Sequence, residues 1–307
     1  MNDLIIIGGG PAGVAAGVYA ARKHLKTVLV AEAIGGQSTD SLGIENWIGT
    51  IKIPGIDLAK ALEAHLNAHK GEFVETVIGE RVTKLSKIDG RFKIETSEGK
   101  SFEGKSVLIA SGAARRKLEA TDADKYENKG LTYCASCDGP LFADQDVAVV
   151  GGGNAGFETA AQLLAYARSV TLIHRRHHFK ADPITVEKVL ADPKMKALPH
   201  TSPVEVKGDG FVTGLVVEDT DTNERTLLPV TGIFVEVGVM PNTGFAKDVV
   251  ALDEVNRVIT DPKNQRTSVE GVWAAGDCTD ELYHQNNIAA GDAVKALEDI
   301  YQWVKTR

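Results

Sequence analysis

The chain contains two near-copies of one short unit, DLIIIGGGPAG from Asp3 and DVAVVGGGNAG from Asp146. Each copy has an acidic residue, a run of four apolar residues and the pattern G-x-G-x-x-G. The apolar runs predict buried parallel strands, and the alanine-rich segments that follow, VAAGVYAARKH and FETAAQLLAYAR, have the spacing of helices. A second predicted strand closes each unit, TVLVAE from Thr27 and VTLIHRR from Val170. The repeat therefore predicts an α/β chain with two Rossmann-like, three-layer dinucleotide-binding domains.

The three glycines of each repeat have separate structural roles. The first permits a tight turn after the strand, the second lets the backbone approach a pyrophosphate, and the third lets the helix pack closely. The helix N-terminus then offers free backbone N–H groups to the anion. One copy alone could be no more than a tight turn, but two copies in full strand–turn–helix–strand context favour two nucleotide sites. The predicted nucleotide contacts are Gly8, Gly10, Pro11, Ala12 and Gly13 in the first turn and Gly153, Asn154, Ala155 and Gly156 in the second.

The two units differ at the end of their second strand. The first has Glu32 there, and a carboxylate accepts hydrogen bonds from a ribose diol while it repels a 2′-phosphate. The second has Arg175, flanked by His174 and Arg176, with Lys180 close by, and such groups bind that phosphate with charge-assisted bonds. The alternative interpretation of HRRHHFK is a solvated basic turn. We therefore predict an unphosphorylated adenosine ribose, as in FAD, in the first unit and NADPH in the second.

Composition limits the classes of function. At 307 residues, 43% of them hydrophobic, the chain is long enough for about two domains. A net charge of −8 disfavours a nucleic-acid partner. The N-terminus MNDLIIIGGGPAG has too short an apolar run for a signal peptide or a membrane span. Three sparsely placed cysteines do not form a secreted disulfide framework, so a cytoplasmic location is expected.

The cysteine pair in YCASCDGP, Cys134 and Cys137, is the strongest candidate for chemistry. A tetrahedral zinc site needs four ligands, and the remaining cysteine, Cys278, is far away in sequence, so we predict no metal. A buried inert pair stays open as an alternative. The redox interpretation is favoured because CxxC spacing lets two sulfurs meet and lowers the pKa of one thiol. Asp138, which follows directly, is either a turn residue or a general acid.

Taken together, these motifs resemble the low-molecular-weight thioredoxin reductase family and the flavoprotein subunit of alkyl hydroperoxide reductase. The similarity covers nearly the whole chain. It rests on GGGPAG at 8–13, GGQ at 35–37, IENW at 44–47, VLIASGA at 107–113, CASCDGP at 134–140, GGGNAG at 151–156, HRR at 174–176, GVMPNT at 238–243 and AAGDC at 274–278.

The resemblance implies a split FAD domain, residues 1–113 and 246–307, with an NADPH domain, residues 114–245, inserted into it. The segments SGAARR and GVMPNTG would then be the two connecting strands. The resemblance also implies a homodimer and a thioredoxin or glutaredoxin-like protein as partner. Further FAD contacts that it implies are Gly36, Gln37, Asn46, Gly276, Asp277, the segment from Tyr283 through His284 to Gln285, and Asn286.

The same resemblance assigns roles to the redox residues. Cys137 would face the flavin, Cys134 would attack the disulfide of the partner, and Asp138 would protonate the departing thiolate. The expected activity is that of a thioredoxin-disulfide reductase. CDGPLF and IENWI lean toward the peroxidase-linked flavoprotein, whereas HRR is typical of NADPH use. Since that flavoprotein has an extra N-terminal redox domain for which this chain has no room, we expect an external protein to accept the electrons.

Three other functions compete with this hypothesis. A disulfide-independent flavin oxidoreductase, such as a ferredoxin–NADP reductase or an NAD(P)H oxidase, is disfavoured by the CxxC. A small-molecule dithiol oxidase keeps the CxxC but has less use for HRR. A non-enzymatic flavin sensor needs neither motif. His284 stands where the family is expected to have arginine, and Cys278 is predicted to be a small buried filler.

Overall fold

The structure, a computed structural model, describes residues 1–41 and 43–306. The helices are α1 (Pro11–Arg22), α2 (Gly55–His69), α3 (Ala135–Asp138), α4 (Asn154–Leu163), α5 (Pro183–Leu190) and α6 (Asn286–Lys305). The strands are β1 (Asn2–Ile7), β2 (Thr27–Ala31), β3 (Val74–Ile78), β4 (Val82–Ile88), β5 (Arg91–Thr96), β6 (Ser101–Ile109), β7 (Ala113–Arg115), β8 (Leu131–Thr132), β9 (Asp146–Val150), β10 (Ser169–Ile173), β11 (Met195–Leu198), β12 (Thr201–Asp209), β13 (Phe211–Asp219), β14 (Arg225–Leu228), β15 (Gly232–Val235), β16 (Val239–Pro241) and β17 (Val272–Ala274). No helix in the described ranges is long and apolar enough to cross a membrane.

The chain folds into two compact units. Unit 1 contains residues 1–114 and the chain from residue 239 onward, and unit 2 contains residues 115–238. The chain leaves unit 1 within β7 and returns to it just before β16. These two strands pair with each other in a separate two-stranded sheet. Residues 239–245, which the sequence places in the inserted domain, belong to unit 1, where Asn242 donates from its backbone N to Gly112 O (3.0 Å) and from its side chain to Ser111 O (3.1 Å).

Unit 1 is built on a sheet in the order β3-β2-β1-β6-β5-β4, with β17 also paired to β6. The central strands are parallel, and β4 and β5 are antiparallel. Alternate side chains of β1 point to opposite faces, as strand geometry requires. Leu4 and Ile6 pack with α1 and α6, and Ile5 and Ile7 pack with β4, β5 and the buried Cys278. Both faces of the sheet are therefore covered.

Unit 2 repeats this plan around the parallel sheet β11-β10-β9-β15-β8. On one face, Val147 and Val149 pack against Phe157 of α4, which is fully buried. On the other face, Ala148 and Val150 pack against an antiparallel sheet, β12-β13-β14. Each unit therefore has three layers, and the predicted fold class is confirmed.

The strands of both repeats form where the apolar runs predict them, but the helix of the second is shorter than predicted. It ends at Leu163, and the chain then turns, with Ala167 N donating to Leu163 O at 2.8 Å. The turn buries Ala167 and brings the Arg168 guanidinium onto the Asp146 carboxylate. Residues 164–168 therefore form a turn in the tertiary structure, although their spacing is helical.

Candidate functional site

The first glycine-rich turn lies between β1 and α1 in unit 1. Gly8 has a φ of 121°, a backbone conformation that favours glycine. A Cβ on Gly13 would overlap the carbonyl oxygen of Gly8, so the helix can begin this close to the strand only without a side chain there. Pro11 occupies the first turn of α1, where a missing N–H costs nothing. The turn thus presents the N-terminus of α1 at the carboxyl end of β1.

Segments distant in sequence converge on this turn. A Cβ on Gly36 would lie 3.2 Å from the Cα atom of Gly10, and one on Gly276 would lie 3.5 Å from the Cβ atom of Ala12. The absence of side chains at Gly36 and Gly276 therefore lets these segments approach the turn closely. The predicted contacts of the first turn, of GGQ and of AAGDC are therefore neighbours in the fold, although they are far apart in the chain.

Polar side chains then link the segment after Gly36 to the start of α6. Gln37 Nε2 donates to Asp277 Oδ2 at 3.3 Å, and Asn46 Nδ2 donates to Gln285 Oε1 at 2.9 Å. Ser38 Oγ donates to Asn286 Oδ1 at 3.1 Å. Ser38 was not predicted from the sequence, and neither was Asn287. The side-chain amide of Asn287 donates to Asn46 O at 2.6 Å. Their adjacency to predicted residues was the only signal available.

This part of unit 1 also has buried polar atoms without a hydrogen-bond partner among the described residues. They are Ser41 Oγ, Ser111 Oγ and the Nε2 atom of His284. A buried polar group without a partner is costly, so such atoms indicate a missing polar partner. With the open surroundings of Gly10, these atoms fit a cofactor as rich in hydroxyl and ring donors and acceptors as FAD.

Glu32 follows β2 directly, as predicted, and its side chain is exposed. Arg81 donates from Nε and Nη2 to its Oε2 atom, at 3.1 and 2.6 Å. An exposed ion pair of this kind contributes only about 0–1 kcal/mol, so a ribose diol can compete for the carboxylate at little cost.

The second glycine-rich turn, between β9 and α4 in unit 2, has the same geometry. Gly151 has a φ of 132°, and a Cβ on Gly156 would overlap its carbonyl oxygen. A Cβ on Gly153 would have no neighbour within 4 Å, so the backbone there is open to a ligand. Asn154 begins α4, beside Ala155, and its Oδ1 atom accepts a hydrogen bond from Asp182 N at 2.8 Å.

The basic segment, residues 174–180, follows β10 and lies against this turn. Lys180 N donates to Gly152 O at 2.8 Å. Arg175, Arg176 and Lys180 have exposed side chains, as phosphate-binding groups require. His174 differs from them, because its ring is buried against Gly152 and its Nε2 atom lies 2.9 Å from His178 O. Burial lowers the pKa of His174, so the neutral ring shapes the segment while the exposed cations remain for a phosphate.

Cys134 and Cys137 form a disulfide at the short helix α3, with Cα atoms 5.3 Å apart. Both are half-buried. Cys134 O accepts hydrogen bonds from the backbone N atoms of Cys137 (3.2 Å) and Asp138 (3.0 Å). Ala135 is buried in the same core as Phe157, which anchors the turn to unit 2. The pair is therefore held on a packed element and is neither fully buried nor detached.

Asp138 lies in the same turn with a carboxyl group shielded from water. Burial raises its pKa, while a hydrogen bond from the Thr132 hydroxyl and the positive charge of Arg115 act in the opposite direction. The Arg115 guanidinium donates to Tyr133 O beside the pair. A carboxyl group with a raised pKa retains a proton to higher pH, as a general acid must.

Glu236 is a further candidate that the sequence analysis missed. It follows β15 directly, its backbone N donates to Val150 O at 2.8 Å, and its carbonyl lies against Gly151. Thr159 Oγ1 donates to its carboxylate at 2.7 Å, and burial raises its pKa. A carboxylate at the carboxyl end of a parallel strand is where α/β sheets bind ligands. The signal was its position within FVEV, at the end of an apolar run, and that pattern resembles many strand ends.

Cys278 is buried, as predicted, in the core of unit 1. Its Sγ atom lies 3.4 Å from Ala275 O and 3.5 Å from Ile109 O. Burial raises the pKa of the thiol to about 11, which keeps it protonated and unreactive at neutral pH.

Comparison with known proteins agrees with this arrangement. The pyridine nucleotide-disulphide oxidoreductase family matches residues 2–293. The F subunit of alkyl hydroperoxide reductase from Staphylococcus aureus (strain MRSA252) is 38% identical over 302 residues, which are 98% of this chain and 59% of that protein. The chain thus spans less than two thirds of the length of this curated relative.

Two solved thioredoxin reductases have the same fold. The enzyme of Streptococcus pyogenes MGAS5005 has a TM-score of 0.91 and 34% identity, over 100% of this chain and 99% of that one. The enzyme of Giardia duodenalis has a TM-score of 0.92 and 34% identity, over 99% of both chains. The chain therefore belongs to the pyridine nucleotide-disulphide oxidoreductase family.

Proposed function

We propose that the chain is a thioredoxin-disulfide reductase, which reduces the disulfide of thioredoxin or of a glutaredoxin-like protein through Cys134 and Cys137. The observation that carries the proposal is a closed, half-exposed disulfide beside a buried carboxyl group, Asp138, in the unit with the second nucleotide turn. A structural disulfide gains nothing from a neighbouring acid, whereas disulfide exchange is assisted by a group that protonates the departing thiolate. The thioredoxin reductases that share the fold support the choice of partner.

When bound, FAD and NADPH supply a hydride, that is two electrons and a proton, to a disulfide. The residues of unit 1 that fit FAD are those around Gly8–Gly13, Gly36–Asn46 and Gly276–Asn286. In unit 2, the turn from Gly151 to Gly156 and the basic segment fit NADPH. Glu32 would bind the ribose of the first cofactor, and Arg175 and Arg176 the 2′-phosphate of the second.

The chemistry of the chain itself is disulfide exchange. The Cys134–Cys137 disulfide takes up two electrons and two protons and becomes a dithiol. The Cys134 thiolate then attacks a disulfide sulfur of the partner, and the other partner sulfur leaves as a thiolate, which Asp138 protonates. Cys137 attacks Cys134 in the mixed disulfide, so the enzyme disulfide forms again and the partner leaves with both thiols. The two electrons and two protons are thereby transferred to the partner.

We further propose a homodimer in the cytoplasm, without a nucleic-acid or membrane partner. Support for these points comes from the family resemblance, from the net charge of −8 and from the sparse cysteines. The F subunit of alkyl hydroperoxide reductase has a higher sequence identity to this chain than the two solved thioredoxin reductases have. Activity should therefore be measured with both thioredoxin and a glutaredoxin-like protein.

The first prediction concerns the cysteine pair. Cys134→Ser or Cys137→Ser should abolish NADPH-driven reduction of thioredoxin and of a glutaredoxin-like protein, because neither serine can form the disulfide. An anaerobic NADPH titration followed by flavin absorbance should show uptake of about four electrons per FAD in the unmodified protein and about two in either variant. Cys278→Ala, a change at the buried thiol, is the matched control and should retain both. Unchanged turnover in the two serine variants would refute the proposal.

The second prediction concerns Asp138 as the acid. Since the acid must carry its proton, turnover with thioredoxin should fall as pH rises through the pKa of Asp138. Thr132→Val removes the hydroxyl that stabilises the charged carboxylate, so the pKa should rise and this falling limb should move to higher pH. Asp138→Asn should turn over slowly and lack the limb. A limb that stays in place in both variants would exclude Asp138 as the acid.

The third prediction concerns the choice of nucleotide. Arg175→Ala and Arg176→Ala should each raise the KM for NADPH about tenfold to a hundredfold, because a charge-assisted bond to the 2′-phosphate is lost. The KM for NADH should change little. Lys188→Ala, at an exposed cation on α5 in the same unit, serves as the control for general charge loss. Equal effects on NADPH and NADH would contradict the assignment.

A further inference from the structure

Three side chains from separate segments of unit 2 meet at the edge of the basic segment. His177, His200 and Asp221 each direct one ligand atom, a ring nitrogen or a carboxylate oxygen, to within 4.8 Å of the other two. His200 Nδ1 lies 2.6 Å from Asp221 Oδ2, and the rings of His177 and His200 meet edge to face with centroids 3.5 Å apart. Neither the nucleotide contacts nor the disulfide chemistry uses any of the three.

The backbone holds the middle residue of this cluster in an uncommon conformation. His200 has a φ of 53°, in the left-handed region that residues other than glycine rarely adopt. Its backbone N donates to Arg176 O at 3.3 Å, and its carbonyl accepts from Thr220 N at 2.6 Å. His200 is thereby fixed between the basic segment and the turn that carries Asp221.

The turn that carries Asp221 is also fixed. Asp219 Oδ1 accepts hydrogen bonds from the backbone N atoms of Asp221 and Thr222, both at 2.9 Å. The Asp219 carboxylate therefore holds the backbone of this turn in place. The Asp221 carboxylate remains directed toward His200.

An ion pair between His200 and Asp221 does not account for the third residue. An exposed pair would have the same geometry without His177, and two imidazoles this close repel each other when both are protonated. A metal cation requires neutral imidazoles and a carboxylate, and it removes that repulsion. Two imidazole nitrogens and one carboxylate oxygen suit zinc and similar transition metals, whereas calcium and magnesium prefer oxygen ligands throughout.

We propose that His177, His200 and Asp221 bind one divalent transition-metal cation of the zinc class, which ties the basic segment to the 219–223 turn. Three protein ligands leave a fourth position for water in a tetrahedral site. With metal–ligand bonds of about 2.0–2.2 Å, the ligand atoms would lie about 3.3 Å apart. The exposed His177 side chain would move closer, and His200 Nδ1 and Asp221 Oδ2, now 2.6 Å apart, would separate slightly. No such site was predicted from the sequence, since HRRHHFK supplies only one of the three ligands.

The position of the site couples it to the nucleotide. His177 directly follows Arg176, so a cation bound there restrains the segment and adds positive charge next to it. Loading with metal should therefore strengthen the binding of a nucleotide 2′-phosphate. This second part rests on the proposed use of the basic segment for NADPH, whereas the metal site itself does not.

Metal titration tests the site directly. The full-length protein, treated with chelator and kept free of reductant so that Cys134–Cys137 stays closed, is titrated with Co²⁺ by absorbance and with Zn²⁺ by calorimetry. We expect about one cation per chain, with the visible bands of four-coordinate Co²⁺, and weaker binding at acid pH. His200→Asn and Asp221→Asn should each weaken binding at least about a hundredfold. Asparagine tolerates the left-handed backbone at position 200 and matches aspartate in shape at position 221, so both variants should fold.

Two histidine variants complete the titration. His178→Asn, a change at the neighbouring exposed histidine of the same segment, should bind the cation normally. His65→Asn tests the rival pair on α2, where the rings of His65 and His69 meet edge to face one helical turn apart. Absence of saturable binding, or binding lost in His65→Asn and kept in His200→Asn, would overturn the proposal.

Nucleotide affinity tests the coupling. Adenosine 2′,5′-bisphosphate should bind about two- to tenfold more tightly to the Zn²⁺-loaded protein than to the metal-free protein, and 5′-AMP should bind equally to both. His200→Asn should remove the difference. Equal affinity for the bisphosphate in both forms would refute the coupling. If the bisphosphate binds neither form while the metal titration succeeds, the assignment of the basic segment to NADPH fails and the metal site stands.

Discussion

The close approach of a helix N-terminus to the end of a parallel strand is the contact on which both units depend. In each unit the carbonyl oxygen of the first glycine, Gly8 or Gly151, lies against the third, Gly13 or Gly156, where no Cβ atom would fit. A side chain there would push the helix away and withdraw its free N–H groups from the strand end. In unit 1 the same displacement would move Ala12 away from Gly276 and would move the turn before α1 away from Gly36. The same close packing of helix against strand therefore positions the anion site and fills the core.

Burial, more than charge pairing, sets the proton affinities that matter for the chemistry. It raises the pKa of Asp138 beside the cysteine pair and that of Glu236 beside the second turn. It also raises the pKa of Cys278, which leaves reactivity to the half-exposed pair. The largest opposing contribution comes from a hydroxyl group, Thr132 for Asp138 and Thr159 for Glu236, and the charge of Arg115 adds to both. Small changes in these hydroxyl contacts therefore adjust the acidity of groups that the surrounding core has already shifted.

The basic segment shows how one stretch of chain divides its residues among separate tasks. His174 turns inward, where its ring fills the space left by Gly152 and bonds to His178 O. The exposed arginines carry the charge expected of a phosphate site, and the Lys180 backbone holds the segment to the turn. The His177 side chain instead lies beside His200 and Asp221. A single solvated basic loop would not require this sorting of inward and outward side chains.

The sequence by itself determined the features with a local signature. These are the strands of both repeats, the turns that only glycine permits and the cysteine pair that a short turn can close, because each depends on near neighbours in the chain. The burial of Cys278 was predicted from the residue type alone. Tertiary structure decided the rest. It joined Asn46 to Gln285, ended α4 at Leu163, placed Thr132 on Asp138 and gathered His177, His200 and Asp221. These contacts join side chains whose identities do not predict one another, since their proximity arises only when sheets and loops pack.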